Sequence, residues 1–296
     1  MKTLLTGGNG FLGRQIALEM KQHGKLVSMG RSRGDLVCDL AKEQPRLDEL
    51  FDLVVHCAGK AHMVPRTAVE AQAFFDTNLN GTKNLCSALT VSGFKGRFIF
   101  ISTVAVYGLS RGMQINEETA LGATEPYGKS KVITEAFVKE WAEQQGVQCT
   151  VLRLPLIAGD NPPGNLGAMI AAIKKGFYFN IAGGKARKSM VLATDVAHAI
   201  IPSSLVPGTY NLTDGIHPSF EELSTVLANK VGRTKVYNMP YTIAKLAALF
   251  GDLVGERFPL NTSKLNKILA PLTFDDSKAR NAFGWNPKPV LGNISI

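Results

Sequence analysis

One short segment constrains the fold more than any other. Thr6-Gly7-Gly8-Asn9-Gly10-Phe11-Leu12-Gly13 lies between a strand-like run, Lys2–Thr6, and a run with apolar residues at helical spacing, Phe11–His23. A glycine-rich turn that leaves a strand and opens a helix suits a dinucleotide: Gly7 and Gly10 let the backbone turn tightly and approach a pyrophosphate, and Gly13 lets the helix pack closely on the sheet. The helix start adds unpaired N–H groups and a positive dipole end. The pattern therefore predicts a phosphate-bearing ligand in this turn, with Asn9, Phe11 and Leu12 beside it.

The rest of the first half repeats the strand–helix rhythm. Lys25–Met29, Leu36–Cys38, Leu53–Cys57, Arg97–Ile101 and Gln148–Leu152 read as strands, with helical patterns over Ala68–Val91 and Tyr127–Gln145. Six strands alternating with helices predict an α/β fold, a doubly wound parallel Rossmann sheet. After Pro155 the rhythm breaks at Gly159-Asp160-Asn161-Pro162-Pro163-Gly164. We expect residues 1–158 and 189–212 to form the dinucleotide-binding domain, and 159–188 and 213–296 a smaller, partly interleaved substrate-binding cap. The 296 residues, 45% of them hydrophobic, suffice for such a core and exclude disorder as the main state.

The net charge of +9 favours anionic partners without choosing among them. No basic stripe with interleaved aromatics and no nucleic-acid motif is present, so nucleic acid is not expected as a partner. The four cysteines are widely spaced and read as reduced thiols of a cytoplasmic protein. No run approaches the ~20 apolar residues that span a bilayer, so no stable membrane insertion is expected. Ile243–Val254 is apolar enough to consider as a membrane-surface helix, but Lys245 and Asp252 interrupt it, and it is expected to pack on its own domain. The five histidines have no metal-ligand spacing, and no metal is expected. His56 reads as a core residue, and His62 as a residue that could face a site.

The end of the second strand reports on the cofactor. Val27-Ser28-Met29 runs into Gly30-Arg31-Ser32-Arg33, with no acid where NAD-binding chains place one and two guanidiniums suited to a 2′-phosphate. NADP(H) is expected over NAD(H). Further on, Tyr127 and Lys131 form Y-x-x-x-K at the start of a helix announced by Pro126, and four-residue spacing puts both on one face. A phenol with a pKa of ~10 is a poor acid or base near neutrality, and a neighbouring ammonium would lower that value. Tyr241 and Lys245 share the spacing, but lie far downstream, where Tyr241 reads as a packing residue.

The glycine spacing, T-G-x-x-G-x-x-G, resembles the short-chain dehydrogenase/reductase superfamily. Phe100-Ile101-Ser102-Thr103-Val104-Ala105-Val106-Tyr107-Gly108, Asn78-Leu79-Asn80-Gly81-Thr82, and Ser277-Lys278-Ala279-Arg280 with Gly284-Trp285-Asn286-Pro287 extend the resemblance to its extended, nucleotide-sugar epimerase/dehydratase group. The resemblance implies a catalytic trio of Thr103, Tyr127 and Lys131, with Ser102 as second choice for the hydroxyl. It assigns Asp39 and Leu40 to the adenine end, and Cys57, Ala58, Gly59 and Pro155, with Tyr127 and Lys131, to the cofactor site. A substrate diphosphate would meet Arg187 or Lys188, and Asn165 is a candidate phosphate or uracil contact. The resemblance also implies a homodimer through the helices Ala68–Val91 and Tyr127–Gln145.

The resemblance narrows the chemistry. Dehydratases of the group carry an Asp-Glu pair after the catalytic Thr, whereas Val104-Ala105 stands here and neither residue can move a proton. Hydride transfer at C4 of a UDP-linked sugar remains, 4-ketoreductase slightly ahead of 4-epimerase, the sugar being an N-acetylated or 6-deoxy one for surface polysaccharide. Reduction of a small non-nucleotide ketone or aldehyde, and a non-catalytic cofactor-binding scaffold, stand as alternatives.

Overall fold

A computed structural model describes residues 1–61, 63–255, 258 and 260–296, so the expectation for His62 lies outside the described residues. Seven parallel strands form the central sheet, in the spatial order Gly208–Asn211, Gln148–Leu154, Arg97–Thr103, Leu53–His56, Lys2–Thr6, Lys25–Gly30, Leu36–Val37. The six expected strands are all present, and Gly208–Asn211 joins them along Thr150–Arg153. The chain builds outward from Lys2–Thr6 to Leu36–Val37, then crosses to the other side of the first strand. This reversal opens a crevice at the carboxyl ends of Lys2–Thr6 and Leu53–His56, the place where open α/β sheets bind ligands.

Strand alternation feeds two cores. Leu5, Val55, Ile99 and Leu152 face the helices Phe11–Met20 and Ala193–Ser204. Their neighbours Leu4, Val54, Phe98 and Val151 face the helices Gly81–Val91 and Pro126–Gln145. Leu53–His56 is buried throughout, as a strand covered on both faces must be. Trp141 closes the second core edge-on against Phe98, with ring centroids 5.2 Å apart.

The helix expected over Ala68–Val91 is not uniform. It is an α-helix over Ala68–Phe75, a wider π turn over Asp76–Asn80, and a second α-helix over Gly81–Val91. Such turns insert a residue into the helical ladder and recur at functional sites.

A third core packs Leu166, Ile170 and Ile173 of the helix Gly164–Lys175 against Leu223 and Leu227 of the helix Phe220–Lys230. The parallel pair Leu156–Ala158 with Met190–Leu192 joins this core, and two further parallel pairs, Phe179–Ile181 with Tyr237–Met239 and Gly112–Ile115 with Leu272–Phe274, pack in separate clusters. Ala279 and Trp285, near the carboxyl end, return to the first core, where the Trp285 indole N–H donates to the Thr213 carbonyl at 2.9 Å.

The helix Tyr241–Val254 corrects an expectation. The helix packs on its domain only through Ala244, Ala248 and Gly251; of its large apolar side chains Phe250 meets Phe258 edge-on, with ring centroids 5.5 Å apart, and Leu246, Leu249 and Leu253 stand exposed. Tyr241, read from sequence as a packing residue, is half exposed. Among the described residues no helix is long and apolar enough to cross a membrane.

Candidate active site

The turn after the first strand has the close approaches its glycines suggest. Gly7 adopts φ +73, and a Cβ there would meet the Ala58 backbone nitrogen at 2.7 Å. A Cβ on Gly13 would lie 2.0 Å from the Gly7 carbonyl oxygen, so the helix could not sit this close to the turn with any side chain there. Gly10 caps the helix without a side-chain acceptor, leaving first-turn N–H groups for an anion. The Leu12 side chain is buried in the first core, so only its backbone can serve a ligand.

Arg31, Ser32 and Arg33 form an exposed loop beyond the second strand, tied to the turn by Asn9, whose amide donates to the Arg33 carbonyl at 2.9 Å. One acid missed from the sequence, Asp35, folds back under this loop. Its carboxylate accepts from the Ser28 N–H at 2.7 Å and the Ser28 hydroxyl at 2.8 Å, and these bonds hold its pKa below the usual range. Asp39 and Leu40 follow the third strand; Asp39 is 3.7 Å from Lys42, and Asn84 donates to the Leu40 carbonyl at 2.8 Å. These residues and Cys57-Ala58-Gly59 follow the carboxyl ends of four neighbouring strands, a continuous rim into which a dinucleotide fits.

The proposed catalytic groups meet at the fifth strand. Thr103 ends Arg97–Thr103 with an extended backbone, and its Oγ1 accepts from the Ala105 N–H at 3.2 Å, capping the short 3₁₀ turn Val104–Tyr107. Its hydroxyl lies near enough to the Tyr127 phenol to pull that group's pKa down. Ser102, the second choice, points into the protein and donates to Glu135 at 2.5 Å, which leaves Thr103 as the hydroxyl beside the phenol. Tyr127 opens the helix Pro126–Gln145 and packs against Phe74, with ring centroids 6.0 Å apart.

Lys131, one turn on, is buried. Its Nζ donates to the Ile101 carbonyl at 2.8 Å and lies 4.3 Å from the centre of the Phe100 ring. Burial pushes its pKa down to about 8, against the opposing influence of Cys57 and Glu135. The Tyr127 phenol moves the other way from the sequence reading: burial raises its pKa, the nearby Thr103 hydroxyl only partly offsets this, and Cys57 adds to the rise. Burial thus favours the protonated phenol and outweighs any help from the lysine.

Three supports were missed from sequence. Asn78, in the π turn, accepts from the Lys60 N–H at 2.7 Å and donates to the Lys60 carbonyl at 3.2 Å and to Ser130 at 2.9 Å. It thus ties the loop after the fourth strand to the helix that carries Tyr127 and Lys131. Glu135 and Arg153 form a buried pair, with Arg153 Nη2 to Glu135 Oε2 at 2.7 Å; Arg153 also donates to Tyr107 at 3.0 Å, and Tyr107 to Asn211 at 2.8 Å. His56 is a satisfied core residue, as expected: Thr6 lies 2.7 Å from one ring nitrogen and Thr82 2.8 Å from the other, and burial pushes its pKa down to about 3.

A cleft of about 220 Å³ opens at Val104, the residue after Thr103, and is lined also by Pro155, Asn165, Lys188, Phe220 and Phe274 among others. It brings Pro155, Asn165 and Lys188 together. Arg187, equally eligible by sequence, is not on this wall; it donates to the His217 carbonyl at 3.0 Å and to Glu222 at 3.3 Å. The Lys188 ammonium donates to the carbonyls of Lys267 and Ala270 at 3.0 and 2.8 Å, which leaves one N–H for a ligand.

The model of the NAD dependent epimerase/dehydratase family matches residues 3–211. The chain belongs to this family. It is a member of the extended short-chain dehydrogenase/reductase group, and an enzyme, so the scaffold alternative falls. Similar curated proteins include a UDP-glucose 4-epimerase of Rhizobium meliloti, 24% identical over 99% of this chain and 94% of that protein. Another is the N-acetyl-alpha-D-glucosaminyl-diphospho-ditrans,octacis-undecaprenol 4-epimerase of Escherichia coli O157:H7, 23% identical over 94% of this chain and 88% of that protein. The crystal structure of a Thermotoga maritima UDP-glucose 4-epimerase with UDP-glucose superposes with a TM-score of 0.75 at 22% identity, covering 97% of this chain and 94% of that one. The fold of this epimerase/dehydratase-family enzyme is thus the fold of that structure.

Proposed function

We propose that this enzyme uses NADP(H) to reduce a ketone at C4 of a UDP-linked sugar. The observation that carries the reading is buried Lys131, held by the Ile101 carbonyl one helical turn after Tyr127, with Thr103 at the carboxyl end of the same strand as Ile101. Reduced nicotinamide, when bound, supplies the hydride. As C4 is reduced, Tyr127 donates its phenolic proton to the carbonyl oxygen, Thr103 hydrogen-bonds that oxygen, and Lys131 holds a positive charge near the phenolate left behind. A protonated Tyr127 can act as the proton donor that reduction requires. Val104 and Ala105 supply no second acid or base for dehydration.

Arg31 and Arg33 would hold the 2′-phosphate, with Asp35 engaged by Ser28 rather than offered to a ribose. Lys188 and Asn165 would meet the substrate diphosphate or uracil from the cap, residues 159–188 and 213–296, and residues 1–158 and 189–212 would hold the cofactor. We assign the enzyme to the cytoplasm, and its dimer contact to the helices on either side of the π turn and Pro126–Gln145.

The test follows NADPH absorbance with UDP-4-keto sugars against UDP-hexoses. NADPH consumption with a keto sugar is the expected result. Interconversion of UDP-hexoses without net cofactor consumption would replace the reductase by an epimerase, and turnover of small ketones alone would remove the nucleotide sugar.

A further inference from the structure

The helix Tyr241–Val254 is built inside out. Its inward residues are the small Ala244, Ala248 and Gly251, packed against Leu265 of the following helix, Thr262–Leu269. At 3.6 residues per turn, Leu246, Leu249, Phe250 and Leu253 fall on the opposite side, with Ile243 and Val254 on one flank. All six are exposed, Leu246 by 68% and Leu253 by 86%. A folded chain gains nothing from presenting its bulkiest apolar side chains to water while burying alanines, so this face is made for contact.

Two neighbouring features indicate what it contacts. The first is aromatic: the helix follows the strand Tyr237–Met239, which pairs with Phe179–Ile181, and exposed Phe179 and Tyr237 lie with ring centroids 6.1 Å apart on that ribbon. A tyrosine, apolar in its ring and polar at its hydroxyl, settles at the boundary between headgroups and acyl chains, and a phenylalanine beside it adds to the apolar face. The second is charge. Residues 230–270 contain seven Lys and Arg against two Asp and Glu, with Lys245 on the apolar helix and Lys264 and Lys267 on its partner helix.

We propose that the outer face of Tyr241–Val254, with the lysines around it, docks the enzyme on an anionic lipid surface. Apolar side chains that enter the headgroup region, rimmed by cations that meet the lipid phosphates, are the two attractions an interfacial helix uses. A second copy of this chain fits the face poorly, because it would bring the same basic rim against itself. The docking face is also connected to the substrate cleft. Lys188, on the cleft wall, is held by the carbonyls of Lys267 and Ala270 at the end of the partner helix. The inference is independent of the hydride chemistry proposed above.

Flotation of the full-length protein with vesicles of phosphatidylcholine, with and without phosphatidylglycerol, tests it. The protein is expected to float with the phosphatidylglycerol vesicles, and less so as salt rises. Leu246→Ser combined with Leu253→Ser should weaken that binding by roughly tenfold or more while leaving the melting temperature and solution turnover unchanged. Lys245→Glu with Lys267→Glu should remove the preference for phosphatidylglycerol. A protein that stays unbound with every vesicle, or floats equally well as the double serine variant, overturns the proposal. Light scattering in which the serine variant turns a dimer into a monomer, without vesicle binding by either form, assigns the face to a second copy and also overturns it.

Discussion

Replacing Lys131 with methionine should remove activity and stabilise the protein. The lysine is buried, and its pKa falls from 10.5 to about 8, with burial as the largest cause. At pH 7 the folded protein still keeps the proton, and that interval corresponds to about 3 kcal/mol of unfavourable charge burial. Methionine fills much of the same volume without charge, but it leaves the Ile101 carbonyl without the Nζ bond, a loss of about 1 kcal/mol. The net expectation is a gain of about 1–2 kcal/mol at pH 7. The sign of the pH dependence follows from the lowered pKa. Between about 8 and 10.5 the unfolded chain holds a proton that the folded protein has released, so the parent gains stability as pH rises through this window, and the variant does not. By pH 9.5 its advantage should shrink by about 2 kcal/mol. Urea denaturation of both proteins at the two pH values reads the difference directly. A variant less stable at pH 7, or a gap that does not change with pH, would refute the argument.

Further outcomes follow from the site. Tyr127→Phe should lower turnover by about 10²–10⁴-fold with cofactor affinity retained, measured by steady-state kinetics beside a cofactor titration; near-parent turnover would dismiss Tyr127 as the proton donor. Arg31→Ala with Arg33→Ala should weaken NADPH binding at least about tenfold with little change for NADH, since only NADPH carries the 2′-phosphate, and equal losses for the two would count against the assignment. Lys188→Ala should raise the substrate KM more than the cofactor KM, and Arg187→Ala should do less, because its guanidinium is engaged by His217 and Glu222; the reverse order would reassign the phosphate contact. Glu135→Gln should destabilise the protein by about 3–5 kcal/mol in urea denaturation, because it strips the buried Arg153 of its carboxylate, and a loss below about 1 kcal/mol would mean the pair matters little.

The parallel sheet and the glycine turn were legible because both rest on local pattern. Alternating apolar runs give Leu4 and Leu5, or Val54 and Val55, to opposite faces whatever the rest of the chain does. The π turn was not legible, since Asp76–Asn80 continues the helical spacing of its neighbours and one inserted residue leaves no compositional mark. The seventh strand, Gly208–Asn211, is short and polar at its ends and becomes a strand by pairing with Thr150–Arg153. Asp35 escaped notice because the four residues between Gly30 and Asp35 had to fold back before its carboxylate could reach Ser28. The Tyr241–Val254 helix misled for a different reason. Its periodicity was real, but periodicity reports that an apolar face exists and is silent on whether that face turns inward.

The two buried cations near the reaction centre are treated differently, and the difference separates support from chemistry. Arg153 is charged at every working pH, so its burial must be compensated; Glu135 meets it with Nη2 to Oε2 at 2.7 Å, and Tyr107 takes a further N–H. That pair joins the helix bearing Tyr127 to the strand Gln148–Leu154 and, through Asn211, to the edge of the sheet. Lys131, on the same helix one turn before Glu135, receives no carboxylate within ion-pair distance among the described residues, only a carbonyl and a ring face. A lysine held this way keeps a pKa close to working pH, as an ammonium that must answer to charge developing on a neighbouring phenol requires. A full ion pair on Lys131 would have stabilised the fold and fixed its charge. The fold leaves that stability unused at the one cation whose charge the proposed reaction must feel.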